Sequence, residues 1–96
     1  MRATPEVVDN AAASRFEIRA PGGTPLLKYA RRDGVLDLVH TEVPPQMEGK
    51  GYGGALAKAA LDAARAAGLR VVPSCPFVRE YVERHREYAD LVAGER

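Results

Sequence analysis

Hydrophobic and polar residues alternate through the first half of this chain, and hydrophobic residues recur at helical spacing through the second. In "SRFEIRA" (14–20), Phe16, Ile18 and Ala20 alternate with Arg15, Glu17 and Arg19, the period of a half-buried strand. "EVVDN" (6–10) before it has the composition of a short strand, and "PGGTP" (21–25) after it is a turn cluster. "LLKYARR" (26–32) is a third strand with Leu27 and Tyr29 on one face. Asp33-Gly34 is a hairpin dipeptide. It leads into the longest strand, "VLDLVHTEV" (35–43), which Pro44-Pro45 stops. Four strands joined by short turns predict an antiparallel meander.

After residue 50 the period changes. Leu56, Ala60, Ala63, Ala64 and Ala67 fall on one helical face, with Lys58, Asp62 and Arg65 on another. Gly68 is placed to end that helix. "LRVVPSC" (69–75) is a short apolar strand, and Pro76 suits the first turn of a second helix carrying Val78, Tyr81, Val82 and His85 on its inner face. A strand–helix–strand unit over 35–75 requires its two strands to be parallel. The expectation is an α+β fold: an antiparallel meander extended by one parallel strand after a crossover helix, then a C-terminal helix.

Composition narrows the function. Ninety-six residues make one domain, read here as 1–96, with 46% apolar and 28% charged residues, a globular balance. A formal charge of +1 leaves no basic footprint for nucleic acid or an anionic membrane. The single cysteine, Cys75, gives neither an internal disulfide nor a paired-cysteine metal site and fits a reducing compartment. The opening "MRATPEVVDN" has no apolar signal core, so a cytoplasmic location is expected.

The chemistry concentrates in "MEGKGYGGAL" (47–56), with four glycines in the six residues 49–54. Such a density costs backbone entropy and marks close approach of a ligand, usually a phosphate. A Walker loop would place Lys and Ser/Thr where Ala55 and Leu56 follow Gly54, so that reading fails. Gly49, Gly51 and Gly54 match the dinucleotide spacing. The first of them stands too far from the strand, however, and no acidic residue closes the next strand to hold a ribose. A third arrangement remains, in which glycines open a helix whose free N–H groups and dipole cradle a pyrophosphate, with Lys50 adding charge. Its bland counterpart is a turn that only lets the alanine-rich helix pack closely.

"EGKGYGGAL" resembles the pyrophosphate loop of Gcn5-related N-acetyltransferases, Gln/Arg-x-x-Gly-x-Gly/Ala. Gly51 and Gly53 stand at its two glycine positions and Glu48 where Gln or Arg is usual. Through "RFEI" (15–18), "HTEVPPQMEGKGYGGALA" (40–57), "VVPSCPFV" (71–78) and "YVERH" (81–85), the chain is similar to a minimal branch that includes the N-acetyltransferase domain-containing protein 1 group. The resemblance implies a truncated acetyl-coenzyme A-binding fold. Coenzyme A would lie between the fourth and fifth strands, against Val43 and the loop residues Glu48, Gly49, Lys50, Gly51, Tyr52, Gly53 and Gly54. It also implies that Cys75, at the end of the fifth strand, carries an acyl group.

Near the N-cap of the second helix the dipole favours a Cys75 thiolate, while burial would oppose it. A small buried cysteine that only packs the strand end fits the sequence equally well. His40 and Glu42 point the same way from the fourth strand, opposite Thr41, and either could relay a proton from an attacking amine. The alternative for His40 is a hydrogen-bonded histidine on the face of Leu36 and Leu38, and for Glu42 an ordinary surface charge. His85, Tyr81 and Tyr88 read as packing residues. The function expected is acetyl transfer from acetyl-coenzyme A to an unidentified amine, on a small molecule or a protein, directly or by way of Cys75. The alternative is a non-catalytic acyl-coenzyme A-binding or sensing module that works through a protein partner.

Overall fold

The computed structural model describes residues 5–93. The first four and last three residues of the domain read from the sequence lie outside them. Five strands form one sheet in chain order: β1 (Val8–Asn10), β2 (Arg15–Glu17), β3 (Leu26–Arg32), β4 (Val35–Glu42) and β5 (Arg70–Val72). The first four pair antiparallel and β5 runs parallel to β4, as the strand–helix–strand pattern required. Asp33 and Gly34 both take positive φ (51° and 78°), the geometry a two-residue hairpin needs.

The crossover helix α1 (Tyr52–Ala67) ends at Gly68, whose left-handed backbone (φ 71°) lets its N–H close on the carbonyls of Ala64 and Arg65. Helix α2 (Pro76–Arg84) begins with proline at its first position and Cys75 as N-cap. Leu56, Ala57, Ala60, Leu61 and Ala64 of α1 are buried together with Leu27, Leu38 and Val71 of the sheet and Val78 and Val82 of α2. One core therefore joins sheet and both helices. After α2 the chain continues through a 3₁₀ segment, Arg86–Leu91, which Tyr88 ties to α1 by donating its hydroxyl to Asp62 (2.7 Å).

Glu17 is the one buried charged residue among those described, at 3% exposure. It lies on the polar side of β2 and is covered by other polar groups, not sunk into the core. Asn10 donates to it (2.9 Å), as do the guanidinium groups of Arg15 and Arg19. Those bonds, Asn10 foremost, hold its carboxyl down at about 2 against an ordinary 4.5. A depressed carboxylate contributes stability above its unfolded value and loses it as pH falls through the folded one. Glu17→Gln is therefore expected to lower the urea midpoint at pH 7. Its deficit relative to the wild type should shrink as pH is taken from about 4.5 towards 2. A gap that stays constant over that range would show that charge at Glu17 does not hold β1 and β2 together.

Candidate functional site

The site begins with an irregularity in β4. Lys28 of β3 pairs with His40 and Tyr29 pairs with Leu38, so Val39 is left without a partner. This bulge inserts one residue and inverts the alternation beyond it. Upstream, Leu36 and Leu38 are buried; downstream, it is Thr41, paired with the fully buried Leu27, that turns to the helix side. His40 and Glu42 therefore do not share the face of Leu36 and Leu38. They point out beside Lys28, 3.2 Å from each other and each a little over half exposed. The structure brings Thr41 to the helix side instead of the two candidate proton relays.

Beyond the bulge the sheet opens. The β4–β5 ladder ends at Asp37 and Val72, and the last link is the Cys75 N–H donating to the Leu38 carbonyl (2.9 Å). The space beyond that link is a cleft of about 440 Å³. Thr41 and Val43 form one wall and Phe77 of α2 the other; Met47, Glu48 and Gly49 run along its base, and Gly51–Gly54 close its end.

At that end α1 starts uncapped. Gly51 is the N-cap, with φ 85°, and has no side chain to offer. The first helical bond runs from the Ala55 N–H to the Gly51 carbonyl (3.0 Å), and the N–H groups of Tyr52, Gly53 and Gly54 have no backbone acceptor. Three orphan donors and the positive end of a 16-residue helix thus meet at one end of a concave site. Gly53 serves a different need. A Cβ there would lie 2.9 Å from Cζ of Phe77, so the absence of a side chain lets the aromatic wall approach. Lys50 is exposed and does not line the cleft, and Glu48 is its one charged lining residue. The donors at this end of the cleft are therefore backbone N–H groups and not a basic side chain.

Cys75 stands behind Thr41. Its sulfur is 3.4 Å from the Thr41 hydroxyl, the residue is 4% exposed, and it is absent from the cleft lining. Burial pushes its pKa up. The Thr41 hydroxyl and the nearby N–H groups of Phe77, Val78 and Thr41 outweigh that and hold it below the ordinary thiol value. Those helical N–H groups act on the sulfur by proximity, without the geometry of a side-chain cap. His85 caps the C-terminus of α2, its Nδ1 is 2.9 Å from the Tyr81 carbonyl, and its ring stacks on Tyr81 at 3.9 Å. It does not line the cleft, but lies with Tyr81 in a small pocket that also borders Phe77.

Of the site residues named from the sequence, Val43, Glu48, Gly49 and Gly51–Gly54 line this cleft; Thr41, Met47 and Phe77 line it without having been named among them. Phe77 carried a signal, since it is a large apolar residue off the Val78–Val82 face of α2, and it is 42% exposed. Among the described residues no three potential metal ligands cluster, and no helix is long and apolar enough to cross a membrane.

Comparison with known proteins points to one family. A family model described as GCN5-related N-acetyl-transferase matches residues 15–91. Protein NATD1 of Gallus gallus and Protein NATD1 of Mus musculus are each 39% identical over 51 residues, which is 53% of this chain and 46% of theirs. The chain spans about half the length of the curated relatives it matches. A GCN5-like protein of Staphylococcus aureus, solved by NMR, superposes with a TM-score of 0.72 at 24% identity. The match covers 99% of this chain and 94% of that one, and it supports the fold.

Proposed function

Because the chain belongs to the GCN5-related N-acetyltransferase family, we propose that it binds acetyl-coenzyme A in the β4–α2 cleft and transfers the acetyl group to an amine. The observation that carries this is the uncapped start of α1, where three acceptor-free N–H groups open onto a cleft of about 440 Å³. A pyrophosphate supplies the acceptors those donors lack. Val43 and Thr41 lie along the adjoining wall, and β4 runs past the end of its ladder with β5. Its free edge there suits the amides of a pantetheine arm. The site at residues 48–54 holds the nucleotide end through backbone, with Lys50 contributing at most a distant charge.

The amine nitrogen attacks the thioester carbon, the carbon–sulfur bond breaks, and coenzyme A leaves as thiolate. The proton lost by the nitrogen ends on that sulfur or in solvent. Transfer runs directly. Cys75 is buried, engaged by Thr41 and outside the lining, so it serves as a neighbour of the reacting end and not as an acyl carrier. A specific observation favours a second reading, an acyl-coenzyme A-binding module without turnover: His40 and Glu42 face away, and Glu48 is the one carboxylate on the cleft. Under either reading the 96 residues form one coenzyme-binding domain. The lone thiol fits a reducing compartment, which supports a cytoplasmic location, with an amine-bearing small molecule or protein as acceptor.

Thermal shift and intact mass test this together. Coenzyme A and acetyl-coenzyme A should raise the melting temperature well above any effect of NAD or ATP. With a panel of amines, release of coenzyme A should depend on the amine, and Cys75→Ser should keep most turnover. An acetyl adduct on wild-type protein that Cys75→Ser abolishes would establish the acyl-cysteine route instead. Binding without amine-dependent release would favour the non-catalytic module. Equal stabilisation by NAD would overturn the coenzyme A assignment.

A further inference from the structure

The turn between β2 and β3 touches the cleft from behind. Ala20 and Gly23 form a bridge across it, with N–H to carbonyl distances of 3.3 and 3.2 Å. Gly23 then lies directly against the segment that precedes the glycine loop. A Cβ at Gly23 would be 2.8 Å from Cγ of Pro44 and 3.1 Å from Sδ of Met47. Contacts under 3.0 Å to a proline ring, which cannot swing aside, leave no room for any side chain at this position. On the same turn the Gly22 carbonyl accepts a hydrogen bond from the Gln46 side chain at 2.8 Å. Among the described residues, this is the one hydrogen bond that ties residues 44–50 to another element.

The segment it ties is the one that needs fixing. Pro45–Met47 is a single 3₁₀ turn, closed by Met47 N–H to Pro44 carbonyl (2.8 Å) and Glu48 N–H to Pro45 carbonyl (3.3 Å). Met47 is buried at 5% and lines the cleft beside Glu48 and Gly49. A short 3₁₀ turn between two prolines and a run of glycines has little rigidity of its own. The β2–β3 turn supplies it from outside: Gly23 by close packing, and the Gly22 carbonyl by accepting the directed bond from Gln46.

We propose that the β2–β3 turn is a brace for the coenzyme loop. Gly23 of the turn and Gln46 of the braced segment act as positioning residues that fix Met47 and the start of the 48–54 segment in binding geometry. The inference rests on the coenzyme A reading of the cleft, and it assigns a role to a hairpin that contributes no side chain to the cleft itself. Neither residue lines the cleft.

The test uses Gln46→Glu, which keeps the length and loses the donor, Gln46→Lys, which restores one, and Gly23→Ala. In the free protein, hydrogen–deuterium exchange at the Met47 and Glu48 amides, the two hydrogen-bonded N–H groups of the braced segment, should quicken about threefold to tenfold in Gln46→Glu, the worth of one net hydrogen bond. It should return towards wild type in Gln46→Lys, while the core strands are unaffected in both. Calorimetry with coenzyme A should show Kd raised by about the same factor in Gln46→Glu and by about tenfold or more in Gly23→Ala, with the melting temperature of Gln46→Glu nearly unchanged. Unchanged exchange at Met47 and Glu48 in both Gln46→Glu and Gly23→Ala would overturn the brace, whatever the affinity. If the wild type itself does not bind coenzyme A, the reading of the cleft fails, and the exchange data still decide whether the turn holds the loop.

Discussion

Gly51→Val is expected to raise the Kd for coenzyme A about a hundredfold while leaving a folded protein. Gly51 holds φ 85° as the N-cap of α1, a left-handed conformation that costs an ordinary residue ~1–2 kcal/mol and a β-branched one more. A Cβ there meets nothing within 4 Å, so valine causes no clash in the core. It relieves its strain by rotating the peptides around it, and the N–H groups of Tyr52, Gly53 and Gly54 turn with them. A hundredfold is about 2.7 kcal/mol, the worth of one strong net bond to a charged group at ~1.5–3 kcal/mol, or of a partial loss of two. Gly53→Ala should act by another route, because its Cβ would lie 2.9 Å from the Phe77 ring. Phe77 forms the opposite wall, so the substitution displaces the wall, and pairing it with Phe77→Ala should remove most of the added penalty. Lys50→Ala, off the cleft lining, should cost far less. Calorimetry on the folded variants checks all of these. Wild-type affinity in Gly51→Val would remove the pyrophosphate from this end of α1.

Why the glycine end was legible in the sequence, and the wall was not, follows from how each is encoded. Backbone geometry that only glycine or proline tolerates leaves a mark. Asp33-Gly34 marks a hairpin, Gly68 marks the end of α1, Pro76 marks the start of α2, and the cluster at 49–54 marks an uncapped helix. Each is present in the structure. The bulge at Val39 leaves none. "VLDLVHTE" is an unbroken strand by composition, and valine is an ordinary strand residue, so counting by two puts His40 with Leu36 and Leu38. One unpaired residue exchanges His40 for Thr41. That exchange decides which side chain stands between Cys75 and the cleft.

Burial of Glu17 was hidden for a related reason. Alternation correctly sets it on the polar side of β2, but period alone does not say that Arg15 and Arg19 will fold back over it. β5 is shorter than its apolar run because Pro73 offers no donor to the ladder, and Ser74 turns instead to Asp37 (2.6 Å). The splay that makes the cleft thus starts where the ladder loses its donor. A reader of the sequence sees the proline and not what its neighbours do.

The seat of α1 on the sheet links stability to the site, and two neighbouring substitutions separate them. Leu61 is fully buried, and Leu61→Ala should cost ~2–5 kcal/mol through lost transfer energy and the cavity left behind. Against the ~5–15 kcal/mol of a typical domain, that is a large share. Yet the cavity removes support without pushing the helix, so the folded fraction should keep a Kd for coenzyme A within about threefold of wild type. Ala60→Leu works in the other direction. Ala57, Ala60 and Ala64 are all at 0% exposure and stand three and four residues apart, forming a stripe of small side chains on which α1 approaches the sheet. Three more carbons on that stripe have no volume to occupy, and overpacking of this kind costs ~1–3 kcal/mol. The strain is released by moving the helix away from β3 and β4. The three donors at the start of α1 then move relative to Thr41 and Val43, so binding should fall about tenfold or more, even in protein that still unfolds cooperatively. Urea unfolding followed by calorimetry at a temperature where both variants are folded reads the two effects separately. Tight binding by Ala60→Leu together with wild-type stability would show that α1 does not sit on the sheet by its alanines.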